Sequence, residues 1–147
     1  MPGMMQLKEI LKKKDGQPVS VPASATVADA IRAMAERRVG SVIVPNADGS
    51  PAGIFTERDV LSLCAEGRTD FANMSLRPCM TCDITTGKPT DTVGEALAIM
   101  TTKRFRHIPV IDDAGKLIGV VSIGDLVKAK LEETAQEAEA LREYIST

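Results

Sequence analysis

Sliding the chain against itself by 66 residues lays Thr26 through Leu61 over Thr92 through Val127 without a gap. Nine of the 36 pairs are identical: Thr26/Thr92, Val27/Val93, Ala30/Ala96, Met34/Met100, Arg38/Arg104, Val44/Val110, Gly49/Gly115, Gly53/Gly119 and Asp59/Asp125. Ordinary amino-acid frequencies would give about two. Further pairs are conservative, among them Asp29/Glu95, Ile31/Leu97, Val42/Ile108, Ile54/Val120 and Thr56/Ser122. A register that runs unbroken through turns and periodic segments alike marks one supersecondary unit written twice.

Each copy reads as β-α-β-β-α. Val19-Ser20-Val21 and Ile84-Thr85-Thr86 are short extended stretches, each closed by a nearby Pro. Thr26-Val27-Ala28-Asp29 and Thr92-Val93-Gly94-Glu95 have the form of capping boxes, a hydroxyl at the N-cap with a carboxylate three residues later. Behind them Val27, Ala30, Ile31 and Met34, and likewise Val93, Ala96, Leu97 and Met100, share one helix face. These helices should stop near Arg38 and Arg104, where cations suit the negative end of the dipole. Ser41 to Val44 and His107 to Ile111 are Val/Ile-rich strands. Hairpin turns at 46–49 and 112–115 end in Gly, and Ala52 to Phe55 and Leu117 to Val121 return. A second helix starts at Glu57 or Ile123. The fold class is therefore α/β (α+β), with two pseudo-twofold related units packed sheet to sheet.

The flanks read as helical, Gln6 to Lys14 with Leu7, Ile10 and Leu11 inward, and a long tail after Asp125. The expected boundaries are a lead-in over 1–17, the first repeat over 18–66, a linker over 67–77, the second repeat over 78–130 and a terminal helix over 131–147.

With 147 residues the chain can bury a core without staples. Its 18 basic and 20 acidic residues leave a net charge of −2, so no broad field draws it to nucleic acid or an anionic membrane. Three Phe and one Tyr are too few for base-stacking platforms. No apolar run approaches a membrane span, the start lacks a signal-peptide core, and three cysteines make no disulfide framework. The expectation is a cytoplasmic protein with free thiols.

The chemistry is concentrated where the last strand of each copy enters its helix. The segments are Gly53-Ile54-Phe55-Thr56-Glu57-Arg58-Asp59 and Gly119-Val120-Val121-Ser122-Ile123-Gly124-Asp125. A hydroxyl and the first amides of a helix form a place for phosphate. An Asp one turn in can accept from both hydroxyls of a ribose. Ile54 and Val120 would flank a base. Thr56 and Ser122 also read as plain N-caps, with Asp59 and Asp125 completing capping boxes; one residue can do both jobs.

The repeat, the paired Gly-h-h-Thr/Ser-x-x-Asp signature, Thr56-Glu57-Arg58-Asp59 and Arg106-His107-Ile108-Pro109-Val110 resemble the CBS domain family over roughly residues 18 to 130. The resemblance implies a tandem pair that binds AMP, ADP, ATP, S-adenosylmethionine or NAD(H) in two clefts between the repeats. In one cleft Asp125 would hold the ribose, Ser122 the phosphate with Arg106 and His107, and Val120 the base, opposite Val21, Ala30 and Val39. In the other, Asp59 would hold the ribose, Thr56 and Arg58 the phosphate, and Ile54 the base, opposite Ile84, Ala96 and Phe105. Gly40 and Ser41 stand where the second copy has Arg106 and His107, and Gly124 replaces Arg58, so the sites should differ.

The function expected is a non-catalytic sensor of adenine nucleotides, AMP foremost, with no catalytic cofactor or metal and an unidentified regulated protein as a further partner. The alternatives are a thiol redox or metal switch through Cys79 and Cys82, and a purely structural dimerisation module. His107 lacks a recognisable catalytic partner in the sequence. Lys12-Lys13-Lys14 reads as a solvated helix end. A homodimer is expected because Val27, Ile31 and Met34 compete for cover, and because Leu131, Ala135, Ala138, Leu141 and Ile145 form an apolar stripe on the tail.

Overall fold

The computed structural model describes residues 4–14 and 18–146. Positions 1–3, 15–17 and 147, parts of the expected lead-in and terminal helix, lie outside the described residues. In chain order the elements are α1 (Leu7–Lys13), α2 (Val27–Arg37), β1 (Ser41–Pro45), β2 (Pro51–Thr56), α3 (Glu57–Ala65), α4 (Val93–Lys103), β3 (His107–Ile111), β4 (Leu117–Ser122) and α5 (Ile123–Ser146). Single turns of 3-10 helix cover Phe71–Asn73 and Arg77–Cys79. The fold is mixed α/β, with two antiparallel hairpins, β1-β2 and β3-β4.

The chain divides into two units. The first comprises 18–85 with the hairpin tip Asp113–Ile118; the second comprises 4–14, Thr86–Asp112 and 119–146.

In the first unit β1 and β2 pair with Ser41 opposite Thr56 and Ile43 opposite Ile54. Gly49 closes the turn at φ 89°, and Gly115 takes φ 82° in the other copy, a region that side chains resist. A further extended segment joins the first strand of each hairpin in parallel, but only as an isolated bridge, Ser20 with Ile43 of β1 and Gly87 with Val110 of β3. The two copies share one bond. The Val21 amide donates to the Ile43 carbonyl at 3.0 Å, and the Gly87 amide to the Pro109 carbonyl at 2.9 Å. The other bond differs because proline has no N–H to give. In the first copy Ile43 donates to Val19; its counterpart is Pro109, so the second copy uses Ile111 to Gly87 instead, where the first copy has Pro45. The extended stretch expected at Ile84–Thr86 thus makes its bridge one residue later, at Gly87.

Thr26 caps α2 with a complete capping box. The α4 cap is half of one. Thr92 accepts from the Glu95 amide at 3.2 Å, but the longer Glu95 side chain takes the Thr92 hydroxyl rather than the backbone amide. Both helices end on an arginine in the left-handed region, Arg38 at φ 54° and Arg104 at φ 60°. The chain therefore turns sharply into Val39-Gly40-Ser41 and Phe105-Arg106-His107.

The residues before each repeat dock in a way the 66-residue register does not reveal. Met74-Ser75-Leu76 and Met5-Gln6-Leu7 are alike at an offset of 69, and each lies antiparallel beside an N-cap. The Leu76 amide donates to Ala25 and the Val27 amide to Met74; correspondingly Leu7 donates to Asp91 and Val93 to Met5. Both leucines are fully buried. The segment ahead of the second repeat thus completes the first unit, and the segment ahead of the first repeat completes the second. Beyond Leu76, Pro78 interrupts regular helix, and Thr81 exchanges both backbone bonds with Ile54 at 2.9 Å. Beyond Leu7, with no Pro, the chain continues as α1.

Each unit has its own core. Val27, Ala30, Met34, Val42, Val44, Phe55, Leu63 and Leu76 fill the first; Leu7, Val93, Ala96, Met100, Ile108, Val110, Val121 and Leu126 fill the second. Val27, Ile31 and Met34, expected to compete for cover, find it within their own unit, where Val27 and Met34 are buried and Ile31 packs against the core. The long α5 buries Leu126, Ala129 and Glu133, whereas Leu131, Leu141, Tyr144 and Ile145 are exposed.

Candidate functional site

Both copies build the strand-to-helix junction with the same bonds. The first amide of α3, on Glu57, donates to the Gly40 carbonyl at 3.1 Å; that of α5, on Ile123, donates to the Arg106 carbonyl at 2.8 Å. These bonds hold Gly40-Ser41 and Arg106-His107 beside the helix starts. The amides of Asp59 and Asp125 return to Thr56 Oγ1 (3.4 Å) and Ser122 Oγ (3.1 Å). The helix starts thus leave fewer open amides for an anion than the sequence led us to expect, since the first and third are already engaged.

The two aspartates are capping residues in full. Asp59 Oδ2 accepts from the Thr56 amide (2.8 Å) and hydroxyl (3.2 Å), and Asp125 Oδ2 accepts from the Ser122 amide at 2.9 Å. Every one of these bonds falls on Oδ2. The cap thus engages Oδ2 of each carboxylate. Both side chains are half-buried at the surface of their unit, so capping and ligand binding are compatible.

The remaining candidates divide by burial. Ala30 and Ala96 are sealed in the two cores, and Val21, Ser41 and Ile54 are nearly so. Val39, Gly40, Ile84, Phe105, His107 and Val120 are half-buried, and Arg58 and Arg106 are exposed. Of the cysteines, Cys79 packs against the first core, where the 69-residue register matches it to Ile10 in the second, and Cys64 and Cys82 are exposed. No group of three or more His, Cys, Asp or Glu among the described residues is placed to hold a metal. No helix is long and apolar enough to cross a membrane among those residues.

One residue of the site was missed. Lys14, read as part of a solvated helix end, sends its ammonium to Asp125 Oδ2 at 2.8 Å and to the Val120 carbonyl at 2.8 Å. Lys13 of the same run pairs with Glu132 of α5 at 3.5 Å, in an exposed pair. Burial would raise the Asp125 carboxyl above the usual carboxylate range. The Lys14 bond, the Ser122 amide and the Lys14 charge outweigh it and hold the carboxyl below its ordinary value. The signal that could have found Lys14 is the second register: at an offset of 69 its counterpart is Asp83, so the first unit has an acid where the second has a base.

The duplicated junctions, each a strand running into a capped helix, define a tandem-repeat module. The family model of the CBS domain matches residues 7–66 and 75–132. The chain is 36% identical over 148 residues to the mitochondrial CBS domain-containing protein CBSX3 of Arabidopsis thaliana, covering 95% of this chain and 71% of that one. Among solved structures it is similar to the CBS-domain containing protein ATU1752 from Agrobacterium tumefaciens, at 34% identity and a TM-score of 0.77 over 85% of this chain and 98% of that one. It is also similar to the CBS domain protein PAE2072 from Pyrobaculum aerophilum complexed with AMP, at 29% identity and a TM-score of 0.76 over 89% of this chain and 99% of that one. The chain belongs to the CBS domain family, as a tandem pair.

Proposed function

We propose that this chain is a regulatory module whose activity is to bind adenosine-containing nucleotides, with AMP foremost and ADP, ATP, NAD(H) or S-adenosylmethionine as the other ligands of that class. One observation carries the reading: in both copies the Asp of the strand-to-helix junction caps its helix through Oδ2 and stands half-buried at the surface of its unit, beside the capping hydroxyl. The AMP bound by the similar Pyrobaculum protein supports it. Asp59 and Asp125 take the ribose. Ile54 and Val120 lie against the base, with Val21, Val39, Ile84 and Phe105 supplying further apolar surface, while Ala30 and Ala96 back those walls from the cores. Because two amides of each helix start are engaged, phosphate relies on side chains: Thr56 and Arg58 on the first unit, Ser122, Arg106 and His107 on the second, with Gly40 and Ser41 shaping the smaller counterpart. The protein works by binding rather than by catalysis, in the cytoplasm and as a homodimer, and passes its ligand state to a partner through a difference in affinity between two shapes.

Thermal unfolding of refolded, nucleotide-free protein tests this. AMP should raise the melting temperature by mass action, and GMP and CMP far less. Asp59→Ala and Asp125→Ala should each remove one class of site while leaving the protein folded. If no adenosine ligand shifts the transition, the reading is wrong.

A further inference from the structure

The Lys14 ammonium bridges the two groups of the second unit on which a nucleoside depends: the carboxylate assigned to the ribose and the backbone of the residue assigned to the base. Both contacts are 2.8 Å, short enough for charge-assisted hydrogen bonds, and the Asp125 side chain is only a quarter exposed. The ammonium thus adds a charged donor to the carboxylate that the nucleotide reading gives to the ribose, on the same Oδ2 that accepts from the Ser122 amide. Its segment is anchored at the far end as well, where the Met5 amide donates to the buried Glu133 carboxylate of α5 at 2.6 Å. Between those ends Leu7 and Ile10 lie in the second core, and Leu11 lies across Gly119. Lys14 is therefore delivered to Asp125 by a docked helix rather than by a free tail. In the first unit the residue in register with Lys14 is Asp83, an acid unable to make the same pair with Asp59.

We infer that Lys14 is an internal occupant of the second nucleotide site, competing with an adenosine ligand for Asp125 and Val120. The inference rests on the nucleotide reading above and adds to it a residue that sets the two sites apart. The second site binds more weakly than its own contacts would give, since the ligand replaces a pair that is already made. Displacement also releases the end of α1 that follows its buried residues, so occupancy of the second site is communicated to the N-terminal helix.

The test uses the refolded full-length protein in an Asp59→Ala background, which isolates the second site. Isothermal titration with adenosine, which has no phosphate for Lys14 to attract, is compared between this background and the same protein carrying Lys14→Met. The expected result is tighter adenosine binding in Lys14→Met by about fivefold, the worth of a half-exposed ion pair. Amide exchange at the end of α1 should also rise on adding adenosine to the Lys14 protein, and should already be raised in Lys14→Met without ligand. Equal or weaker adenosine binding in Lys14→Met overturns the inference, because Lys14 would then be a bystander or a ligand contact. A parallel AMP titration of the wild-type chain separates the two layers: AMP binding with no Lys14 effect sinks this inference alone, and no binding of AMP or adenosine to any variant sinks the nucleotide reading with it.

Discussion

The Met80 side chain lies across Gly53 so closely that a Cβ on that glycine would overlap its thioether. In the second unit Leu11 stands in the same relation to Gly119. Met80 and Leu11 correspond at the 69-residue offset, and Gly53 and Gly119 at the 66-residue offset. Each glycine therefore exists in its strand to admit the lead segment that closes its unit.

Gly53→Ala and Gly119→Ala should each destabilise the protein by about 1–3 kcal/mol, the usual cost of overpacking a close contact. Urea unfolding measures it. Adding Met80→Ala to Gly53→Ala should recover part of the loss through non-additivity. Full additivity of the two changes would mean that they do not share this contact.

The hydroxyl caps carry stability apart from any ligand. Thr56→Ala and Ser122→Ala should each cost about 1 kcal/mol in the nucleotide-free protein, from the lost helix cap. Melting temperatures without nucleotide check this, and unchanged values would show that the caps are dispensable.

Asp125 makes a definite pH signature. Its carboxyl is held below its ordinary value in the folded chain despite burial, chiefly by Lys14 and the Ser122 amide. A carboxyl lowered on folding adds stability above its unfolded pKa of about 3.9, and that stability is lost as pH falls through the folded value. Lys14→Met leaves burial with less opposition, so the Asp125 midpoint should move up. Carboxyl-carbon NMR titration follows it directly, and an Asp125 midpoint unmoved by Lys14→Met would show that the pair does not persist in solution.

Cys79 sits where the second unit has Ile10, at the edge of the core, whereas Cys82 is exposed. Cys82→Ser should leave stability and AMP affinity unchanged. Cys79→Ser should lower stability by roughly 1 kcal/mol, through loss of an apolar group, with AMP affinity intact. Stoichiometric zinc in the native protein, absent from the double variant, would overturn this packing account.

The end of α5 carries exposed Leu131, Leu141, Tyr144 and Ile145 on a helix whose start is buried. A homodimer that covers this stripe should dissociate when the chain is cut after Ala135, a position that spares the Glu133 bond to Met5. Sedimentation at micromolar concentration should give a dimer for the full chain and a monomer for the shortened one. A full-length monomer under those conditions would refute the dimer.

The duplicated unit, the order of its elements, the N-caps and the paired aspartates were all legible in the sequence. Each rests on local chemistry: a helical period, a hydroxyl three residues before a carboxylate, a glycine where φ must be positive. Tertiary structure decided what depends on long-range pairing. That Leu76 completes the first unit and Leu7 the second is set by hydrogen bonds to Ala25 and Asp91, the latter more than eighty residues away from its partner in the chain. The parallel bridges differ between copies because proline at 45 or 109 withholds a different amide, which matters only once a partner carbonyl is in place. The same holds for Lys14. Three lysines in a row read as solvated charge, and which of them meets a carboxylate depends on where helix α1 docks. That is fixed by Leu7 and Ile10 entering a core built more than eighty residues downstream, where Asp125 waits at the start of α5.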